Sequence, residues 1–149
     1  PAFAAYPVIR PEQRYGTNSR VDFLLQGQGV PDLYLEVKNA HLRRADDWAE
    51  FPDCVTARGA KHLAELADMA DEGHRAVMLF LVQMKAHAFR LAADLDPGYA
   101  AAFARARQRG VEAIVATCRI DETETVIERT IPFANDEEIP LVMPVTAGS

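Results

Sequence analysis

The sequence predicts an α/β domain with a mixed sheet flanked by helices. Three observations carry that prediction. Two short apolar segments around a Gly/Pro turn read as a β-hairpin, a continuous apolar run follows an amphipathic helix, and a second capped helix precedes two alternating segments that close the chain. The 149 residues are enough for one domain with a core of its own.

Taken in order, Pro1 to Thr17 holds Pro1, Pro7 and Pro11, so any helix there is short. Val21 to Leu25 is a strand interrupted by Asp22; Gln26 to Asp32 (QGQGVPD) is a turn; Leu33 to Lys38 (LYLEVK) is the returning strand. Asn39 to Val55 shows neither period and reads as a long functional or mobile loop. Thr56 then caps a helix to about Glu72, with Leu63, Leu66, Ala67 and Ala70 on one stripe and Gly73 as its stop. Ala76 to Gln83 (AVMLFLVQ) is a central strand buried on both faces. Asp96 and Pro97 open a second helix at N-cap and N1, and Gly110 ends it. Val111 to Ile120 and Thr125 to Ile131 alternate around Asp121 to Glu124 as a closing hairpin. The domain is expected to span residues 1–133, with Ala134 to Ser149 a tail that is an edge strand or disordered. Leu33 through the first helix to Gln83 forms a β-α-β crossover. Its two strands should run parallel, and their C-terminal ends share one sheet edge with the helix start.

Composition excludes several classes. At 49% apolar and 26% charged the chain is not disordered. Its longest apolar run, Ala76 to Val82, is too short to span a bilayer, and no signal segment is present, so a cytoplasmic protein with no membrane partner is expected. Cys54 and Cys118 are too few for a disulfide framework, in keeping with a reducing compartment. His41, His62, His74 and His87 lack zinc-ligand spacing, and neither a phosphate-loop nor a nucleophile-elbow motif occurs. The net charge of −6 argues against a general polyanion binder. It is unevenly spread: residues 1–62 carry eight basic and eight acidic side chains, and residues 63–149 carry eight and fourteen. The chain opens at Pro1, as expected of a processed product, a trimmed chain or a C-terminal piece of something longer.

Closing the first hairpin symmetrically on Leu25 and Leu33 sets Asp22 directly opposite Glu36. Opposed like charges are destabilising unless something neutralises them, and a divalent cation does so. Lys38 lies two residues beyond Glu36, on the same face of the strand. Two carboxylates and an ammonium suit Mg²⁺ (or Mn²⁺) and phosphodiester cleavage, with Asp22 and Glu36 as metal ligands and Lys38 orienting water or stabilising charge. The plainer alternative is a solvated Glu36–Lys38 ion pair on an edge strand. Arg20, two residues before Asp22, either binds phosphate or balances the acids. Thr56, Arg58, Lys61 and His62 occupy the first turns of the helix at the same edge, as a phosphate-binding end or an ordinary solvated face. Gln83 closes the central strand as a site-facing amide or a strand-end cap. His41, Arg43 and Arg44 add cations nearby, offset by Asp46, Asp47 and Glu50.

Asp22, thirteen intervening residues and then Glu36-Val37-Lys38 resemble the PD-(D/E)XK nuclease signature. RYGTNSRVDFLL (Arg14 to Leu25), YLEVKNAHL (Tyr34 to Leu42), FPDCVTARGAKHLAEL (Phe51 to Leu66) and AVMLFLVQM (Ala76 to Met84) resemble the C-terminal domain of the sugar fermentation stimulation protein family. The likeness runs from about Tyr6 to about Phe133. It implies a restriction-endonuclease-like core, metal and catalytic roles for Asp22, Glu36 and Lys38, and a further acid at Glu12. It also implies an N-terminal OB-like domain with no counterpart in this chain. The leading functional expectation is a Mg²⁺-dependent nuclease-like domain acting on nucleic acid, DNA above all. A DNA-binding regulatory module linked to sugar utilisation genes is the first alternative, and a protein-interaction domain docking through its acidic part is the second. The oligomeric state is left open, a homodimer included.

Overall fold

The computed structural model describes residues 3–44, 47–120 and 122–133, and the expected tail at 134–149 lies outside them. The elements are β1 (Val8–Tyr15), β2 (Ser19–Gln26), β3 (Leu33–Ala40), β4 (Trp48–Phe51), α1 (Ala57–Asp71), β5 (Arg75–Val82), β6 (Ala88–Leu91), α2 (Pro97–Gln108), β7 (Glu112–Ile120) and β8 (Thr125–Thr130). The main sheet has the order β1-β2-β3-β5-β7-β8, and β4 pairs with β6 apart from it. The β3-β5-β7 centre is parallel, while β1-β2-β3 and β7-β8 are antiparallel, so the sheet is mixed.

Strand β5 is apolar throughout because both of its faces are covered. Ala76, Met78, Phe80 and Val82 join Leu63 and Leu66 of α1 and Tyr99 and Phe103 of α2 in one core. Val77 and Leu79 join Leu25, Leu33, Leu35 and Ile114 on the other face. Both helices therefore pack on the same side of the sheet. Phe80, fully buried, stands with ring centroids 4.7 Å from Phe89 and 5.5 Å from Phe51. Burial of such a side chain contributes about 1.5–3 kcal/mol.

The predicted caps are present. Thr56 Oγ1 accepts from the Gly59 N–H at 2.9 Å, and Asp96 Oδ1 accepts from the Tyr99 N–H at 2.9 Å. Asp96 Oδ2 also accepts from the Thr56 N–H at 2.7 Å, so one buried carboxylate joins the starts of both helices.

Two stretches differ from expectation. The proline-bearing N-terminal stretch forms β1, tolerated because β1 is an edge strand and Pro11 leaves no interior ladder without a donor. The expected long loop contains the end of β3 and all of β4, whose partner β6 begins at Ala88, too far along the chain to leave a hairpin signature. No helix among the described residues is long and apolar enough to cross a membrane.

Candidate active site

The β2–β3 register is the predicted one: Leu25 pairs with Leu33, Leu24 with Tyr34 and Phe23 with Leu35. The next step would set Asp22 against Glu36, and there the ladder stops. Asp22 Oδ2 instead accepts from the Val37 N–H at 2.7 Å. The β1–β2 ladder is interrupted at the same place, passing from Pro11–Phe23 to Gln13–Val21 without pairing Glu12 and Asp22. Glu12 has φ +55°, a conformation costing a non-glycine residue about 1–3 kcal/mol and retained only where its surroundings impose it. Val21 and Leu24 pack into the same core although three residues apart, whereas Leu25 enters the other, so β2 changes face at Asp22. Register thus aligns Glu12, Asp22 and Glu36 across three neighbouring strands, with Asp22 freed from the pleat. Burial, with the charges of Glu36 and Glu12, pushes the Asp22 carboxyl above its usual range, against the opposing Val37 hydrogen bond.

Glu36 is 2% exposed. Its Oε1 lies 2.8 Å from His62 Nδ1 and 3.4 Å from Lys38 Nζ. Burial alone would raise its carboxyl, but the His62 hydrogen bond and Lys38 outweigh burial and hold it below the usual range. Glu36 Oε2 is buried with no hydrogen-bond partner. Arg58 Nε stands 3.5 Å from His62 Nε2. With His62 Nδ1–H donating to Glu36, Nε2 accepts from Arg58, giving a chain from a surface guanidinium to a buried carboxylate.

The other expected site residues divide. His62, expected at a phosphate-binding face, is 7% exposed and holds Glu36 instead. Thr56 spends its hydroxyl on the cap. Lys61 donates to the Thr17 carbonyl at 3.1 Å, tying α1 to the β1–β2 turn, and stays exposed beside Arg58. The face change at Asp22 removes the spacing that put Arg20 beside it; Arg20 is exposed and pairs across from Arg14. Gln83 does not reach the acids: its Nε2 donates to Asn39 Oδ1 at 3.2 Å, one residue past Lys38 and on the opposite face of β3. Gln83 also borders a cavity of about 600 Å³ lined by Asp47, Lys85, His87, Thr117, Glu128 and Arg129, and not by Glu12, Asp22 or Glu36.

Sequence reasoning missed Glu65 and Tyr15. Glu65 is 6% exposed with neither oxygen hydrogen-bonded, and the Tyr15 hydroxyl is buried and unbonded as well. The available signal was an acid three residues past His62 on the apolar face of α1.

Asp22 and Glu36 offer hard oxygen donors, and Glu36 Oε2 has no partner, so the chemistry of these residues fits a hard cation such as Mg²⁺ or Mn²⁺. Among the described residues no three His, Cys, Asp or Glu side chains converge on one ion. An ion here would rest on two carboxylates and water, as Mg²⁺ commonly does.

The six-stranded mixed sheet with two helices fits the restriction-endonuclease-like class of α/β domains, and Asp22 and Glu36 lie where the antiparallel strands leave the parallel centre of the sheet. Residues 1–124 match the family model described as "Sugar fermentation stimulation protein RE domain", and the chain belongs to the sugar fermentation stimulation protein family. A homologue from Dinoroseobacter shibae is 61% identical over 138 residues, 92% of this chain and 57% of that protein. One from Agrobacterium fabrum is 51% identical over 144 residues, covering 96% and 59%. The structure of Pyrococcus furiosus SfsA in complex with Ca²⁺ matches with a TM-score of 0.79 at 27% identity, over 88% of this chain and 56% of that one. The chain thus spans a little over half the length of these relatives.

Proposed function

We propose that this domain binds nucleic acid, DNA above all, and hydrolyses its phosphodiester bonds with Mg²⁺ or Mn²⁺ held by Asp22 and Glu36. The observation that carries this reading is Glu36, buried with one oxygen fixed by His62 and Lys38 and the other without a partner. The side chains that satisfy Oε1 leave the buried Oε2 without a donor, a vacancy that an electropositive partner would fill. The Ca²⁺ in the Pyrococcus furiosus relative supports a hard cation on this fold. When bound, such an ion would polarise the phosphate and acidify a water. Lys38 would stabilise charge developing on the phosphate, and His62 would keep Glu36 aimed. Glu12, aligned with Asp22 by register, adds negative charge on the edge side. Arg58 and Lys61, exposed at the start of α1, offer contacts to flanking phosphates, with Arg20 further out on β2.

The relatives' name, which concerns stimulation of sugar fermentation, favours a second reading, a DNA-binding regulatory module without turnover. One experiment separates the two. Labelled DNA and RNA are incubated with Mn²⁺ and either wild type or Lys38→Ala, and melting is followed with and without the ion. Cleavage by wild type but not by Lys38→Ala supports the nuclease. Ion-dependent stabilisation and DNA binding without cleavage support the regulatory module. Wild type that shows no ion effect on melting overturns the metal site.

A further inference from the structure

Arg14 and Arg20 stand directly opposite one another where β1 and β2 approach their turn. Side chains so paired have Cβ atoms about 4.5–5.5 Å apart, and like charges there repel. Both arginines are exposed, and neither has an ion-pair or hydrogen-bond partner among the described residues. With a net charge of −6 the chain has carboxylates to spare, and it spends them on other arginines: Arg44 and Arg90 share Glu50, and Arg75 pairs with Glu112.

The opposed pair is also held in place. Gly16 and Asn18, at φ +57° and +60°, close the turn, and Lys61 of α1 donates to its Thr17 carbonyl at 3.1 Å. Tyr15 and Val21, the neighbours of Arg14 and Arg20, enter the core beneath the helices. By strand alternation the two arginines therefore leave from the opposite face of the sheet, away from Arg58 and Lys61. Along their strands they lie two residues from Glu12 and Asp22, a step of roughly 6–7 Å. Balancing those acids would be another use for two cations, but the face change at Asp22 removes the spacing it needs. Fixed, unneutralised guanidinium groups side by side suit one partner above others, a phosphate that both planar forks can grip.

We propose that Arg14 and Arg20 form a phosphate clamp that grips the nucleic-acid backbone on the sheet face opposite α1, so that cations flank the acids on both faces. The inference rests on the nucleic-acid reading of the proposed function, and Arg14 is the residue it adds.

Anisotropy of a labelled DNA duplex titrated with the whole chain in CaCl₂, over a range of NaCl, tests it, with circular dichroism following the melting of each variant. Arg14→Gln and Arg20→Gln should each weaken binding about tenfold and lower the salt slope by about one, and the double variant should lower it by about two. Arg105→Gln, which removes an exposed and equally unpartnered arginine from α2, should change neither. With the opposed charges relieved, the double variant should melt no lower than wild type at low salt. DNA binding unchanged in both single variants overturns the clamp. An equal loss in Arg105→Gln, which would mean that only net charge is sensed, overturns it too, and so does a double variant that melts lower, which would mark the arginines as counter-ions of the acids. Those outcomes spare the nucleic-acid reading, whereas a wild type that binds no DNA overturns both.

Discussion

Glu36 and Glu50 are two strand glutamates buried to the same depth, 2% and 1% exposed, and their surroundings could hardly differ more. Glu50, on β4, has both oxygens engaged. Arg44 Nη2 and Arg90 Nε donate to Oε1 at 2.7 and 3.1 Å, and Arg44 Nε donates to Oε2 at 3.0 Å. Arg44 continues to Asp94, and the Arg90 guanidinium lies 5.3 Å over the Trp48 ring. The group locks the β4–β6 pair together and leaves neither oxygen without a donor. Glu36 is held just as firmly, but through one oxygen only. Burial of an acid therefore does not by itself single it out; what distinguishes Glu36 from Glu50 is an oxygen with no partner on a fixed, buried carboxylate.

That contrast can be broken experimentally. The largest effect should come from Glu50→Ala, which leaves Arg44 with Asp94 alone and Arg90 without its carboxylate, and should cost about 1.5–3 kcal/mol in denaturant unfolding. Glu36→Gln should cost less, about 1 kcal/mol, because it keeps an oxygen for His62 and loses only the charge facing Lys38, while abolishing ion-dependent stabilisation. Equal losses in the two variants would erase the distinction.

The next effect is on pH dependence. The Arg44 hydrogen bonds hold Glu50 below the usual carboxylate range and bring Asp94 down to about 2. Lowered folded values mean that this stabilisation is complete above the ordinary carboxylate range and is lost as pH falls through the folded values. Glu50→Gln should therefore flatten the acid limb of the stability profile below about pH 4. An unchanged limb would show that the network titrates elsewhere. A smaller effect is expected of Asp22→Ala, which leaves the Val37 N–H without its acceptor and should cost about 1 kcal/mol by the same unfolding measurement. The smallest concerns Lys61→Ala, which should change stability by less than about 0.5 kcal/mol, since its ion pair with Glu65 is long and half exposed. It should also lower the salt slope of DNA binding by about one, as read in a salt titration.

Much of the fold was legible because its signals are local. Thr56 and Asp96 announce helix starts through side chains that cap N–H groups three residues on. The even apolar run from Ala76 announces a strand covered on both faces. The Gly/Pro turn before Leu33 set the register that brings Asp22 toward Glu36. What stayed hidden depends on contacts distant in sequence or on broken periodicity. The β4–β6 pairing joins segments about forty residues apart. The face change at Asp22 defeats alternation at the very residue whose placement matters, so Arg20 could not be oriented by counting. His62 was assigned to the right edge but the wrong task, because spacing shows which residues share a helix face and not how deeply that face is buried. Gln83 shows the limit of the strand-edge argument: it reaches the edge of Lys38 and turns to the other side of the sheet.

Asp96 carries one further consequence. By accepting from Thr56 and Tyr99 at once, it makes the first turns of α1 and α2 a single unit with respect to local opening. The α1 start displays Arg58 and Lys61, so fraying at the α2 end would be felt by the proposed phosphate contacts. In native-state hydrogen exchange the Thr56 and Tyr99 amides should report one common opening free energy, and Asp96→Ala should lower it for both together.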